Sequence, residues 1–176
     1  MKITVSNIPL EGLDLRSSMS RGWLENAMTD QAVPCTCTRD IRVTIHVRRH
    51  GDNVFLEGSI VTALDLTCCR CLETAVFPID VAFRYTMVPM PDEQAGEIEL
   101  GSDDLEYGYY NEDTIDLEPL IFEQIVLQIP IKVLCREDCR GLCSRCGANL
   151  NQEPCRCEDT VDERFAVLKK LKIQKK

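Results

Sequence analysis

The chain has 176 residues and 44% apolar content, which suits one domain with a real core, or one domain and a small appendage. No run of about 18 apolar residues occurs and "MKITVSNIPLEG" has no apolar h-region, so neither a membrane span nor a secretory leader is expected and the cytoplasm is the expected compartment. The eleven cysteines then argue against a disulfide framework and for thiolate metal chemistry, and the formal charge of −9 taken as a sum opposes nucleic-acid binding.

In chain order, "MKITVSNIPLEGLDLR" alternates weakly and reads as a short strand entering a loop. In "SSMSRGWLENAM" serines precede Trp23, Leu24, Ala27 and Met28, the pattern of a short capped helix. Ile41, Val43, Ile45 and Val47 then alternate with Arg42, Thr44, His46 and Arg48, a period of two that predicts a strand. "HGDN" supplies a turn, and the return strand places Val54, Leu56, Ile60, Leu64 and Leu66 on one face. A third strand follows with Phe77, Ile79, Val81, Phe83 and Tyr85 inward, completing an antiparallel meander. Pro78 places that strand at an edge or makes its start irregular.

Residues 89–113 are rich in Pro, Gly and acids and read as a long flexible loop, with a short strand near "EIEL". Residues 92–118 hold eleven acids and no Lys or Arg; without them the balance is 20 basic against 18 acidic residues. "DTIDLEPLIFEQIVLQIP" reads as a helix capped by Asp113, Thr114 or Asp116, with Pro119 in its first turn and Pro130 as its stop. Its apolar residues cover most of the circumference, which predicts burial against the sheet. After the cysteine tract, "DTVDERFAVLKKLK" reads as an amphipathic helix, and the last thirteen residues carry six bases and no acid.

The cysteines form groups. "CSRCG" (Cys143, Cys146, Gly147) has the form of a zinc knuckle, in which two thiolates at i and i+3 sit on a tight turn with backbone N–H groups aimed at sulfur. "CRC" (Cys155, Cys157) offers two more thiolates, enough to close a tetrahedral site. Cys135 and Cys139 lack local partners, and "CCRC" places Cys68 and Cys71 on a turn between two predicted strands. This spacing predicts two Zn²⁺ sites, Cys68/Cys71/Cys135/Cys139 and Cys143/Cys146/Cys155/Cys157. The alternatives are one site drawn from the six tail cysteines, crossed pairing between the groups, or Cys69 replacing a neighbour. "CTC" (Cys35, Cys37) has no matching pair and reads as small core or loop residues.

Thiolates suffice to close every site, whereas a catalytic zinc keeps an open position and commonly a His or carboxylate ligand. His46 and His50 fall on the solvent side of the first hairpin. Neither C-x-x-C pair precedes a convincing helix, which opposes a thiol-exchange role. No phosphate-loop, dinucleotide, nucleophile-elbow or zinc-protease motif is present. The expectation is therefore a structural clamp in a protein that is not an enzyme and has no small-molecule substrate. Arg140, Arg145, Lys169, Lys170 and Lys172 are the candidate RNA contacts, since bases near the zinc tail and on the last helix suit phosphate.

"TCCRCLE", then "DLEPLIFEQIVLQIPIKVLCREDCRGLCSRCGANLNQEPCRC", then "DERFAVLKKLK" together resemble the YceD family, the large ribosomal RNA subunit accumulation proteins, over roughly residues 60–87 and 112–172. The resemblance implies a bacterial or plastid-type factor for accumulation of 23S ribosomal RNA and assembly of the large ribosomal subunit, without known enzymatic activity. The family's cysteine pairs carry over onto Cys68 and Cys71 and onto the 135–157 cluster, while the doubled cysteine at 68–69 and "CTC" at 35–37 depart from its pattern. The expected architecture is α+β: an antiparallel meander or partial barrel packed by a buried helix over residues 1–134, then a zinc-ribbon-like tail and terminal helix over 135–176. The expected partners are pre-ribosomal RNA, a large-subunit ribosomal protein, or both. The alternative is an acidic module that chaperones a basic protein through residues 92–118 without touching RNA. A third reading is a thiol-redox protein.

Overall fold

The computed structural model describes residues 1–30, 35–91 and 107–157. Three strands form the centre of the sheet: β4 (Ile41–His50), β5 (Asn53–Thr67) and β6 (Thr74–Pro89), joined as an antiparallel meander. Strand β2 (Leu13–Met19) pairs with β4 on one side, and β3 (Thr36–Cys37) pairs with the far end of β5. Strand β7 (Tyr107–Tyr110) joins β6 in parallel, so the six-stranded sheet is mixed and has the order β2-β4-β5-β6-β7 apart from β3. A second sheet pairs β1 (Lys2–Thr4) with β8 (Thr114–Asp116).

The alternation in the sequence is reproduced as burial. Ile41, Val43, Ile45 and Val47 are buried, as are Val54, Leu56, Ile60, Leu64 and Leu66 opposite them. Helix α1 (Arg21–Asp30) adds Leu24 and Met28 to this cluster, and helix α2 (Leu117–Leu127) adds Leu117, Ile121 and Ile125. One contiguous core therefore lies between one face of the sheet and the two helices. Pro78 pairs opposite Ala63, in the part of β6 that β7 does not reach, and among the described residues no further strand there calls on its missing N–H.

Three expectations change and one is narrowed. Leu13–Met19 is a strand rather than a loop leading into a helix cap, because Leu13, Leu15, Ser17 and Met19 take alternate positions against β4. Tyr107–Tyr110, expected within the flexible loop, is a strand paired with β6. Of the three expected caps for the central helix, Asp116 is the one used, accepting from Glu118 N–H at 3.1 Å, because Thr114–Asp116 is drawn into pairing with β1 ahead of it. That helix buries only the stripe Leu117, Ile121 and Ile125, and Leu127 remains 65% exposed, so it is covered on one side instead of all round. The expected strand near "EIEL", most of the acidic loop and the terminal helix lie outside the described residues.

Candidate metal centres

The hairpin between β5 and β6 builds half of the first centre. Strand β5 ends at Thr67, and Cys68 to Glu73 make the turn, closed by Cys68 N–H to Glu73 O at 2.9 Å and Leu72 N–H to Cys68 O at 3.0 Å. Leu72 takes the left-handed conformation (φ 61°) that ends the turn. Cys68 and Cys71 thus face the same side and are both buried. The other half comes from beyond α2. Cys69 N–H donates to Val133 O at 2.9 Å, which fixes the chain just before Cys135, and Cys139 N–H donates back to Arg136 O at 3.1 Å.

The four Sγ atoms of Cys68, Cys71, Cys135 and Cys139 lie within 4.8 Å of one another, with Cys68–Cys139 at 3.8 Å and Cys71–Cys135 at 3.5 Å. A tetrahedral ion with Zn–S bonds of about 2.3 Å requires sulfur separations of about 3.8 Å. Cys143, Cys146, Cys155 and Cys157 form a second group within the same 4.8 Å limit, with Cys143–Cys155 at 3.3 Å and Cys146–Cys155 at 3.8 Å. Here the knuckle turn is closed by Gly147 N–H to Cys143 O at 3.0 Å, and Gly147 has the positive φ of 74° that the turn requires. The donor sets and spacings fit a four-coordinate thiophilic metal at both places; either group could hold an ion, and zinc is compatible.

The electrostatics of each group favour early thiolates, and in the first group Cys139 is held down as well as Cys68, by the Asn151 side chain and the backbone N–H of Gly141. Backbone N–H groups of Cys71, Arg70 and Cys135 point at Cys68 and hold its thiol down to about 6. At Cys143, N–H groups of Cys146 and Arg145 act in the same way, again to about 6. The later thiols carry the penalty. Burial and neighbouring sulfurs push Cys135 up to about 12, and the sulfurs around Cys157 push it up to about 12. Negative charge shared by four sulfurs has to be neutralised, and a divalent cation does so directly.

The tail is also fastened to the hairpin by polar contacts that involve no sulfur. Glu73 Oε1 accepts from Asn149 Nδ2 at 2.8 Å and from Gln152 Nε2 at 2.6 Å. Arg70 Nη1 donates to Cys139 O at 2.7 Å, and Leu142 N–H donates to Arg70 O at 3.0 Å. Gly141 has φ of 76°, and a Cβ there would lie 3.0 Å from Arg70 O, so only glycine lets the tail pass this close to the turn. Sequence reasoning missed this clamp. Its sequence trace is the amide-rich "ANLNQ", which carries no spacing signature.

Among the other candidates, Arg140 and Arg145 are exposed beside the groups; Arg140 N–H donates to Asn151 Oδ1 at 2.8 Å, and Arg145 N–H lies 3.5 Å from Cys143 Sγ. Arg136, also among the cysteines, pairs with Asp138 at 3.4 Å. Lys169, Lys170 and Lys172 lie outside the described residues. Cys69 is exposed and belongs to neither group; Cys37 is buried beside Thr62, and burial raises the thiols of Cys35 and Cys37. His46 stands on the outer sheet face, paired with Asp14 at 2.6 Å, and belongs to neither cysteine group.

A family model described as large ribosomal RNA subunit accumulation protein YceD matches residues 56–172, a span that includes the hairpin turn and both cysteine groups. An uncharacterized protein of Mycobacterium tuberculosis is 31% identical over 124 residues, covering 70% of this chain and 58% of that protein. A large ribosomal RNA subunit accumulation protein YCED homolog 1, chloroplastic, of Arabidopsis thaliana is 28% identical over 157 residues, covering 76% of this chain and 49% of that one. The Zea mays protein of the same name is 27% identical over 142 residues, covering 67% and 48%. The chain thus spans about half to three-fifths of the length of these relatives. No solved structure matches it. With most of its length matched, including the segments that build both cysteine groups, the chain belongs to the YceD family.

Proposed function

We propose that this protein is a non-enzymatic cytoplasmic factor for accumulation of 23S ribosomal RNA and assembly of the large ribosomal subunit. It acts by binding pre-ribosomal RNA, a large-subunit ribosomal protein, or both. The observation that carries this reading is the family match over residues 56–172, together with plant relatives whose names state a role in large ribosomal RNA subunit accumulation.

Within this reading each cysteine group holds one Zn²⁺, with Cys68, Cys71, Cys135 and Cys139 as ligands of the first and Cys143, Cys146, Cys155 and Cys157 of the second. Four thiolates complete a tetrahedral ion and leave no position for a reacting water, so the ions are structural. The first ties the tail to the β5–β6 hairpin, and the second shapes the tail loop that carries Arg145. Arg140, Arg145, Lys169, Lys170 and Lys172 supply phosphate contacts, which the polarised charge of the chain allows despite its formal −9.

The test is co-sedimentation of the tagged chain with large-subunit precursors, combined with 23S RNA levels after its depletion. The expected result is sedimentation with the precursors and a selective fall in 23S RNA. A chain that stays at the top of the gradient, with 23S RNA unchanged on depletion, would remove the proposal. Charge reversal at Lys169, Lys170 and Lys172 is expected to weaken precursor association; unchanged association assigns the RNA contact elsewhere.

A further inference from the structure

The two cysteine groups share a donor set but not an environment. In the first, Cys68, Cys71 and Cys139 are 0%, 4% and 2% exposed, and Leu134 and Leu142 pack against them. In the second, Cys146 is exposed, and Cys143, Cys155 and Cys157 are half-buried. None of these four belongs to a hydrophobic cluster among the described residues. Ser144, Arg145 and Gly147 around Cys146 are exposed, and a Cβ added at Gly147 would meet no atom within 4 Å. The tip of the second knuckle therefore stands in solvent, while the first group lies under side chains.

Sulfur spacing does not separate the groups. Cys71 and Cys135 are 3.5 Å apart in the first, and Cys143 and Cys155 are 3.3 Å apart in the second. Access does separate them, because oxidation of a thiolate follows its exposure. Of the eight cysteines in the two groups, Cys146 is the exposed one. Its sulfur lies 3.8 Å from that of Cys155, so an approach of under about 2 Å reaches the disulfide length of about 2.05 Å.

The tail does not depend on the second group for its attachment. Glu73 accepts from Asn149 and Gln152, in the middle of the loop between Cys146 and Cys155, and the first group ties Cys135 and Cys139 to the hairpin. What the second group orders is its own loop, where Cys143 N–H donates to Ala148 O at 2.8 Å and Cys157 N–H donates to Cys155 Sγ at 3.2 Å. Opening it is a local change that leaves the body of the molecule folded, and such a change can be reversed.

We propose that the second cysteine group is an oxidation-sensitive switch: a peroxide oxidises Cys146, Cys155 closes a disulfide with it, and the ion of this group is released while that of the first stays bound. The Cys146 thiolate attacks one peroxide oxygen, the O–O bond breaks, and the departing hydroxide takes a proton to become water. The Cys155 thiolate then attacks the sulfur of the Cys146 sulfenic acid and expels its oxygen, which takes a second proton and leaves as water. The two sulfurs lose two electrons and the peroxide gains them. Cys143 and Cys157 remain, too few to retain a four-coordinate ion. The inference rests on the two-ion reading above and goes beyond it. Disulfides that form in a reducing compartment are typically transient and redox-sensing, and a thiol reductant reverses this one.

The experiment uses the full zinc-loaded chain carrying Cys69→Ser, which removes an exposed thiol that belongs to neither group. Hydrogen peroxide is added in steps, released zinc is read with a chromophoric chelator, and disulfides are mapped by peptide mass spectrometry. One of the two ions is expected to leave, together with formation of a Cys146–Cys155 disulfide and without loss of the sheet's circular dichroism. A thiol reductant with added zinc should restore the second ion. Leu142→Ala, checked for folding by its melting temperature, uncovers the first group and should let its ion go at lower peroxide.

Release of both ions together, release of the first alone, or a disulfide that does not join Cys146 to Cys155 would overturn the switch and leave the two-ion reading standing. Unchanged retention of the first ion in folded Leu142→Ala would overturn the shielding on which the switch depends. Protein that carries fewer than two ions before peroxide is added removes the two-ion reading, and the switch with it.

Discussion

The side-chain amide of Asn151 donates to Sγ of Cys139 at 3.4 Å, so a residue of the second cysteine loop supports the first cysteine group. Its Oδ1 accepts the N–H of Arg140 at 2.8 Å, which orients the amide. Asn151 lies between Cys146 and Cys155 in the chain, and the two groups are therefore coupled through one planar side chain. Removing a donor that orients and stabilises a ligand typically costs about 10- to 100-fold in metal affinity. Asn151→Ala is expected to weaken the first site by that factor. Competition with a chromophoric chelator in a Cys143→Ser background, where only the first site remains to be read, measures it.

The two-site reading sets a stoichiometry. Elemental analysis of protein purified under reducing conditions is expected to give two zinc ions per chain, and one in each of Cys68→Ser and Cys143→Ser. A single zinc unaffected by Cys68→Ser would remove the first site. Protein with little metal and active disulfide exchange would revive a thiol-redox role.

Cys68 and Cys143 titrate at about 6 in the folded chain, against an ordinary value of 9.0. A folded-state value below the unfolded one means stability that is fully present above pH 9 and is lost as pH falls through about 6. Cys135 and Cys157, pushed up to about 12, act in the opposite sense and oppose folding as pH rises from 9 toward 12. Metal-stripped protein should therefore gain stability between pH 6 and 9 and lose part of it at higher pH. Denaturant midpoints across this range test the sign, and a Cys68→Ser/Cys143→Ser variant should show a flatter rise. In the loaded protein the same protons compete with the ion, so metal release is expected on acidification toward pH 6.

Gly58 sits in the middle of β5, where a Cβ would lie 2.6 Å from Phe83 Cζ and 2.7 Å from Thr44 O. The ring of Phe83 is buried and the carbonyl is backbone, so neither yields cheaply. Gly58→Val should overpack the meander and destabilise the chain by about 1–3 kcal/mol. Chemical denaturation with the metals bound checks the value, and little loss of stability would mean that Phe83 has room to move.

The meander was legible because local alternation and global burial agree: a residue such as Ile45 is followed by His46 in sequence and by the opposite face in space. The turn at "HGDN" and the cap at Asp116 were legible for the same local reason. Strand β2 was hidden because Ser17 and Ser18 suit a helix cap as well as a strand, and only pairing with Val43 and Arg42 decides between them. Strand β7 was hidden by its acidic neighbours, and the short strand Thr114–Asp116 ahead of α2 by pairing of Ile115 with Ile3, residues far apart in the chain. The clamp from Glu73 to Asn149 and Gln152 had no local signature at all.

The sequence by itself determined the half-sites, because thiolates two to four residues apart converge whatever lies elsewhere in the chain. It left their partners open, since any two such pairs can complete a tetrahedron. The tertiary structure decided that question: a hairpin end and the chain beyond α2 meet, and Cys68 comes to 3.8 Å from Cys139, 71 residues away.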